Sequence, residues 1–248
     1  MTAKLVCSQS GVNLYELLAS DDNERLESML ALYAQSFPDY AHYLPRMRRR
    51  AAFSGNARTG HLAHYWLLEY EGKPIGLTTF RYIEKRECGL GVSFAVDRKA
   101  RSIKVGKQRL SAFIIGQIMQ QLKKDAAQTK TKLYGLVTEV EHRSLMEHYK
   151  KMGMLELPVQ YFEPIYPPEQ DGDDLQRRVE KINFIPVFLA ITPNGNVDIK
   201  PCLLRKFIKA FLVDHYDLPQ SHPMVQKTLN SIEQREERIA IPDSVESF

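Results

Sequence analysis

The stretch from Leu90 to Leu122 constrains the fold more than any other part of the chain. Leu90, Val92, Phe94 and Val96 alternate with small or polar residues, the period of a half-buried strand. Farther on, Leu110, Ile114, Ile118 and Leu122 recur every four residues, and Phe113, Ile115 and Met119 widen the stripe. That is the pattern of an amphipathic helix. Between the two lies a turn rich in cations: Arg98, Lys99, Arg101, Lys104, Lys107 and Arg109. The order is strand, basic loop, helix N-terminus. Such a terminus presents unpaired backbone N–H groups and a partial positive charge, so it suits an anion. From these residues alone, a solvated basic helix start is an equally good reading.

The flanking segments extend the pattern. Asn13 to Leu18 reads as a first strand. Asp21 or Asp22 then caps a helix with Leu26, Met29, Leu30, Tyr33 and Phe37 on one face, and Pro38 ends it. A second helical piece spans Tyr43 to Phe53 and carries Arg46, Arg48, Arg49 and Arg50. This cluster reads as a solvated helix surface or as a recognition face for an acidic partner. After a turn-rich break at Gly55 to Gly60, His64 to Tyr70 and Pro74 to Ile83 flank a tight Glu71-Gly72-Lys73 loop. With Cys88 to Val96 they make an antiparallel meander. Beyond the long helix, Leu133 to Thr138 reads as a strand and His142 to Met154 as a short helix. This predicts an α/β fold with a mixed, mostly antiparallel central sheet flanked by helices.

The C-terminal third is less regular. Leu155 to Ile165 is predicted as a strand bounded by Pro158 and Pro164, and Pro167 to Asp174 as an exposed loop. Ile182 to Ile191 reads as a strand, with Pro186 arguing for an edge or a bulge. Val197 to Ile199 could pair back across the Pro193–Asn196 turn. Leu203, Leu204, Phe207, Ile208, Phe211 and Leu212 mark an amphipathic helix, and from about Ser221 a polar peripheral helix and a loose tail are expected. These elements divide the chain into one domain over 1–200 and a helical extension over 201–248. The extension would pack on the core or on a partner subunit, which leaves room for a homodimer.

Composition narrows the class. A hydrophobic fraction of 44% in 248 residues supports a sizeable core. No apolar run approaches the roughly 20 residues of a membrane span, and Met1 to Ser10 has no signal-peptide pattern. Cys7, Cys88 and Cys202 are scattered, without metal-ligand spacing, which suggests reduced thiols in a cytoplasm. A net charge of +4 favours an anionic cofactor or carrier. The chain has no aromatic-interleaved basic stripe and no helix-turn-helix signature, so nucleic acid is not the expected partner. No metal site is expected.

Two short patterns in the right order point further. In the first, Val96 and Arg98 are followed by Arg101, Lys104 and Gly106. In the second, His142 lies seven residues before Tyr149, which is followed by Gly153 and Met154. Together they resemble the GNAT superfamily of N-acetyltransferases over roughly Asn13 to Glu163. That family carries Val-x-Pro and Arg/Gln-x-x-Gly-x-Gly/Ala at its acyl-CoA loop. Its next helix ends in Tyr-x-x-x-Gly-Phe, with an Asn seven residues before the Tyr. Lys104 stands where the family has its first Gly, a departure that adds charge and changes the turn.

The resemblance implies an N-acyltransferase that moves an acyl group, most simply acetyl, from acyl-CoA to a small-molecule or protein amine by direct transfer. It implies that backbone groups of Phe94, Ala95 and Val96 hold the pantetheine and polarise the thioester carbonyl, a role suited to backbone donors. The loop Arg101, Ser102, Ile103, Lys104, Val105, Gly106 and Lys107 would take the phosphates, and His142 would border the cofactor. Tyr149 is the implied general acid, because a phenol can protonate a leaving thiolate; packing is its other reading. Glu139 and Glu141 are the candidate bases and would share a face if the strand alternates through them. Two alternatives stay open. The donor could be an acyl-carrier protein, and the chain could be a non-catalytic module that binds a CoA compound.

Overall fold

The computed structural model describes residues 2–52, 61–169 and 175–233. The predicted break at Gly55 to Gly60, Phe53 and much of the 167–174 loop lie outside these residues. The chain forms two compact units, residues 1–82 with 91–125, and residues 83–90 with 126–248.

The first unit opens with a strand that the sequence did not signal. β1 (Lys4–Gln9) pairs antiparallel with β2 (Val12–Glu16), which pairs with β3 (His61–Tyr70). β4 (Lys73–Ile83) and β5 (Cys88–Val96) continue the order, so that neighbours in sequence are neighbours in the sheet. Glu71 and Gly72 both adopt positive φ (50° and 75°), the two-residue turn that matches the twist of a hairpin. α1 (Asn23–Ser36) starts at Asp22, whose Oδ1 accepts from the Arg25 N–H, and stops before Pro38, as expected. α2 (Leu44–Ala51) follows a 3-10 stretch. Met29, Leu30 and Tyr33 of α1 and Met47 and Ala51 of α2 pack with Tyr65, Leu67 and Leu77 on one side of the strands. Alternation puts His64 and Trp66 on the other side. Two short strands, β6 (Lys104–Val105) and β7 (Gln108–Arg109), precede α3 (Leu110–Gln128). His64 meets Asp125 of α3, whose Leu110, Phe113, Ile114, Ile118 and Leu122 are buried as the periodicity predicts.

The second unit is built on β8 (Gly135–Val140) and β11 (Asn183–Pro193). α4 (Arg143–Lys150) follows β8. The expected strand at Leu155 to Ile165 is two short pieces, β9 (Leu155–Glu156) and β10 (Tyr161–Ile165), and both pair antiparallel with β11. α5 (Leu175–Glu180) precedes β11. Among the described residues, β11 has one paired neighbour at Pro186, as the expected edge requires, and neighbours on both sides only farther on. Its first half pairs with β10 and its second half with β8. Pro186 falls in the first half, opposite Phe162, where no β8 residue needs its missing N–H. Val197 to Ile199 forms no strand; only Ile199 makes an isolated bridge.

Two helices end the described chain. α6 (Pro201–Lys209) continues into a π-helical turn over Ala210–His215, and the predicted apolar face is buried in full. α7 (Pro223–Glu233) is the expected C-terminal helix, but it is packed rather than peripheral, because Val225, Leu229 and Ile232 are buried. Both units thus combine antiparallel strands with flanking helices, the α/β class read from the sequence. Among the described residues, no helix is long and apolar enough to cross a membrane.

Candidate functional site

The end of β5 is fixed by backbone contacts. Asp97 N–H donates to Ile75 O at 2.7 Å. A Cβ on Gly76 would lie 2.5 Å from Ala95 O, so only glycine allows β4 and β5 to approach so closely. Phe94, Ala95 and Val96, the last residues of β5, are half-buried. Asp97 then caps a 3-10 turn over Arg98–Ala100, its Oδ1 accepting from Lys99 N–H at 2.8 Å. Buried Ala100 pins that turn. Arg101 folds back, and its Nε donates to Val96 O at 3.2 Å.

The next residues depart from the expected helix start. β6 and β7 form a small antiparallel hairpin with Lys104 opposite Arg109 and Val105 opposite Gln108. Gly106 makes its turn at φ +60°, and a Cβ there would meet nothing within 4 Å. The glycine serves the backbone conformation rather than a tight contact. Helix α3 begins only at Leu110, so none of the six cations lies in its first turn. Burial of Val105 and Leu110 explains this, because both ends of the segment are anchored and the residues between must turn back. The side chains of Arg98, Lys99, Lys104, Lys107 and Arg109 form no ion pair or hydrogen bond among the described residues. Arg101, Ser102, Lys104, Gly106 and Lys107 are exposed, Ile103 is half-buried and Val105 is buried. The segment is therefore an uncompensated positive ridge.

The remaining candidates lie in the second unit. Tyr149 is half-buried near the end of α4. Met154 N–H donates to Tyr149 O at 3.1 Å and Gly153 N–H to Lys150 O at 3.0 Å. These paired bonds, with Gly153 left-handed, are a Schellman closure. The Tyr-x-x-x-Gly spacing therefore has a structural cause, which places Tyr149 at the third position from the helix end. His142 sits at the start of α4 and is exposed. Its Nε2 lies 3.8 Å from Glu141 Oε2, so these two candidates come together at the surface.

Glu139 and Glu141 do not share surroundings, because β8 stops at Val140. Glu141 is exposed, whereas Glu139 is half-buried. Its Oε1 accepts from Tyr161 Oη at 2.5 Å and its Oε2 from Tyr216 Oη at 2.7 Å. Tyr216 Oη also lies 3.3 Å from Glu163 Oε1. Register explains the cluster. Glu139 faces Leu189, while Tyr161 and Glu163 face Val187 and Ile185, so alternation puts all three on one side of the strands. Burial and the neighbouring Glu163 charge push the Glu139 carboxyl well above its usual range, outweighing the two phenol hydrogen bonds. Burial likewise raises both tyrosines. Sequence reasoning missed Tyr161, Glu163 and Tyr216. The i, i+2 spacing of Tyr161 and Glu163 was a signal for the first two; nothing local pointed to Tyr216. Among the described residues, no group of three or more His, Cys, Asp and Glu side chains is arranged to hold a metal.

Comparisons with known proteins identify the family. Residues 26–154, just over half of the chain, match the model of the Acetyltransferase (GNAT) family. No curated protein matches. The chain is similar to a solved structure from Bacteroides thetaiotaomicron assigned to the GNAT acetyltransferases, at 20% identity and a TM-score of 0.49 over 81% of this chain and 97% of that one. It is similar to a Desulfovibrio desulfuricans structure assigned to the same family, at 10% identity and a TM-score of 0.49 over 73% and 98%. A third similar structure, a GNAT acetyltransferase from Streptococcus pneumoniae, shares 15% identity at a TM-score of 0.44 over 73% and 99%.

Proposed function

The chain belongs to the Acetyltransferase (GNAT) family and is thus an acyltransferase, and from that premise we propose that it transfers an acyl group, most simply acetyl, from acyl-CoA directly to an amine. The observation that carries the reading is the exposed basic ridge after β5. It places six cations within twelve residues, and five of them have no partner among the described residues. A stretch of like charges is locally unfavourable and calls for an anion, and the phosphates of CoA are such a group. The residues present fit that donor. Arg98, Lys99, Arg101 and the loop through Lys107 would hold its phosphates, and backbone groups at Phe94 to Val96 its pantetheine arm.

In this reading the amine nitrogen attacks the thioester carbonyl, the C–N bond forms and the C–S bond breaks. Tyr149 gives its phenolic proton to the departing thiolate. The ammonium proton leaves to a base, for which exposed Glu141 is better suited than Glu139, whose oxygens are both occupied by phenols. A chain of this kind would work in the cytoplasm on a small-molecule or protein amine. Thermal-shift titration with acetyl-CoA, a long-chain acyl-CoA and free CoA tests the reading. Binding should stabilise the fold by about 2.7 kcal/mol at a hundredfold excess over Kd. Arg101→Glu should weaken binding, more at low salt than at high salt. Absence of any shift would refute the CoA reading.

A further inference from the structure

In the acyl-CoA reading the four arginines of α2 have no role. Residues 38–51 set Arg46, Arg48, Arg49 and Arg50 against one carboxylate, Asp39. Arg48 turns to α1, where its Nη2 lies 2.6 Å from Glu27 Oε2. Residues three and four apart on a helix are neighbours, so Arg46, Arg49 and Arg50 share another side of α2. Met47 and Ala51, on the remaining side, are buried in the core with α1. Arg49 is exposed, and Arg46 and Arg50 are half-buried. One turn before Arg46, in the 3-10 stretch Pro38–Tyr43, the His42 ring lies 4.1 Å from that of Tyr43. Its Nε2 is buried without a hydrogen-bond partner among the described residues, an atom that a ligand can satisfy. This corner lies on the side of the strands that the end of β5 also serves. Ala95, in the segment that would hold the thioester, packs against the same apolar cluster as Tyr40 and Leu44.

We propose that this corner, Arg46, Arg49 and Arg50 with His42, binds the acceptor, and that the acceptor is a small amine that carries a carboxylate. This rests on the acyl-CoA reading and names its acceptor class. Guanidinium groups present planar forks that match a carboxylate in geometry as well as in charge. His42, in the tautomer with its proton on Nε2, donates a further hydrogen bond to the same group. The last residues of β5, Phe94, Ala95 and Val96, carry no charge. A molecule with both groups therefore docks its carboxylate on α2 and turns its amine toward the thioester. The same arginines repel a polyamine or a lysine-rich peptide, so the corner selects by repulsion as well as by attraction.

Initial rates with acetyl-CoA and matched amines test this, beside calorimetric titration of acetyl-CoA alone. The panel is glycine, β-alanine and glutamate, each with its fully amidated counterpart, together with an aminoalkyl phosphate and a diamine. The wild type should favour the carboxylates over their amides by about tenfold or more in kcat/KM, the size of a charge-assisted contact. The double variant Arg46→Gln/Arg49→Gln should raise KM for the carboxylates by about the same factor and leave acetyl-CoA affinity unchanged. Equal use of acids and amides overturns the acceptor class while leaving the donor reading intact. So does a preference for the phosphate or the diamine, or binding of acetyl-CoA with no turnover of any panel amine. A folded double variant that keeps the wild-type preference overturns the role of the arginines. Failure to bind acetyl-CoA overturns the donor reading and the acceptor class with it. The wild-type comparison needs no variant, so the proposal stays open to refutation even if the double variant fails to fold.

Discussion

His64 Nε2 lies 3.0 Å from Asp125 Oδ2, joining β3 to α3 inside the first unit. The other ring nitrogen, Nδ1, meets Glu16 Oε2 at 2.7 Å, so the imidazole is held between two carboxylates. The surroundings fix both acids. Glu16 also accepts from Trp66 Nε1 and from the N–H groups of Leu18 and Tyr65, and Asp125 accepts from Gln121. The ring stacks on Phe80 at a centroid distance of 4.7 Å. Burial alone would lower the His64 pKa, but the bonds to Asp125 and Glu16 dominate and push it up to about 9.

This gives the first prediction. A histidine whose pKa is raised in the folded state stabilises fully below its unfolded value near 6.5, and that contribution is lost as pH rises through about 9. The shift corresponds to roughly 3 kcal/mol. Stability measured by urea denaturation should therefore fall between pH 6.5 and 9. His64→Gln should be less stable at pH 6 and should lose most of this slope. An equally steep slope in the variant would show that other groups set it.

The sequence made the elements legible where one periodicity held without interruption. β5 and α3 match their predicted spans because Leu90 to Val96 and Leu110 to Leu122 each keep one clear pattern. The hairpin between them was hidden, since Lys104 to Arg109 is too short to show a period and its cations resemble a helix start. β1 was missed because it is mostly exposed, Leu5 included, and its two half-buried residues, Val6 and Cys7, are adjacent, so no polarity alternation marks it. The candidate site was half legible. Tyr149 could be located from its spacing to Gly153, which one helix closure imposes. The surroundings of Glu139 could not, because Tyr216 reaches it from 77 residues away in sequence. Contacts of that range leave no local trace.

The Glu139 cluster makes the second prediction. Burial and the Glu163 charge hold the Glu139 carboxyl well above its usual range. Such a group favours the folded state while protonated, and the gain is lost as pH rises through its folded pKa. Glu139→Gln keeps the shape and removes the charge, so it should tolerate high pH better than the wild type. Tyr161→Phe removes one of the two phenol donors and should cost about 1–3 kcal/mol. Denaturation curves of both variants at pH 6 and pH 9 decide this. A Glu139→Gln variant that loses stability more steeply than the wild type at high pH would contradict a protonated Glu139.

Tyr149 supplies the third. Its main chain closes α4 through the Met154 bond, which a phenylalanine retains, so Tyr149→Phe should fold normally and bind acyl-CoA as before. Loss of the phenolic proton donor should lower kcat by about 10²–10⁴-fold. The comparison must be made where chemistry limits the rate, with kcat and KM determined separately. An unchanged kcat would make Tyr149 a packing residue, and would also leave room for a chain that binds CoA compounds without turning them over.

The last prediction concerns α7, which the sequence marks as a polar peripheral helix. Its Val225 is fully buried, and Leu229 and Ile232 are each only 4% exposed. Ser231 Oγ accepts from Gln160 N–H at 3.1 Å, and Lys227 Nζ stands 4.6 Å over the Phe162 ring, so the helix lies against β10 and the residue before it. Burying each of the three apolar side chains is worth about 1.5–3 kcal/mol. Ending the chain after His222 would remove all three and expose their partners. That truncation should therefore destabilise the protein by several kcal/mol, although the removed segment is mostly polar in sequence. Leu229→Ala isolates the packing contribution and should cost about 2–5 kcal/mol. Urea denaturation of the two variants should rank the truncation below Leu229→Ala and both below the wild type. A truncated chain as stable as the wild type would mean that α7 covers nothing the fold requires.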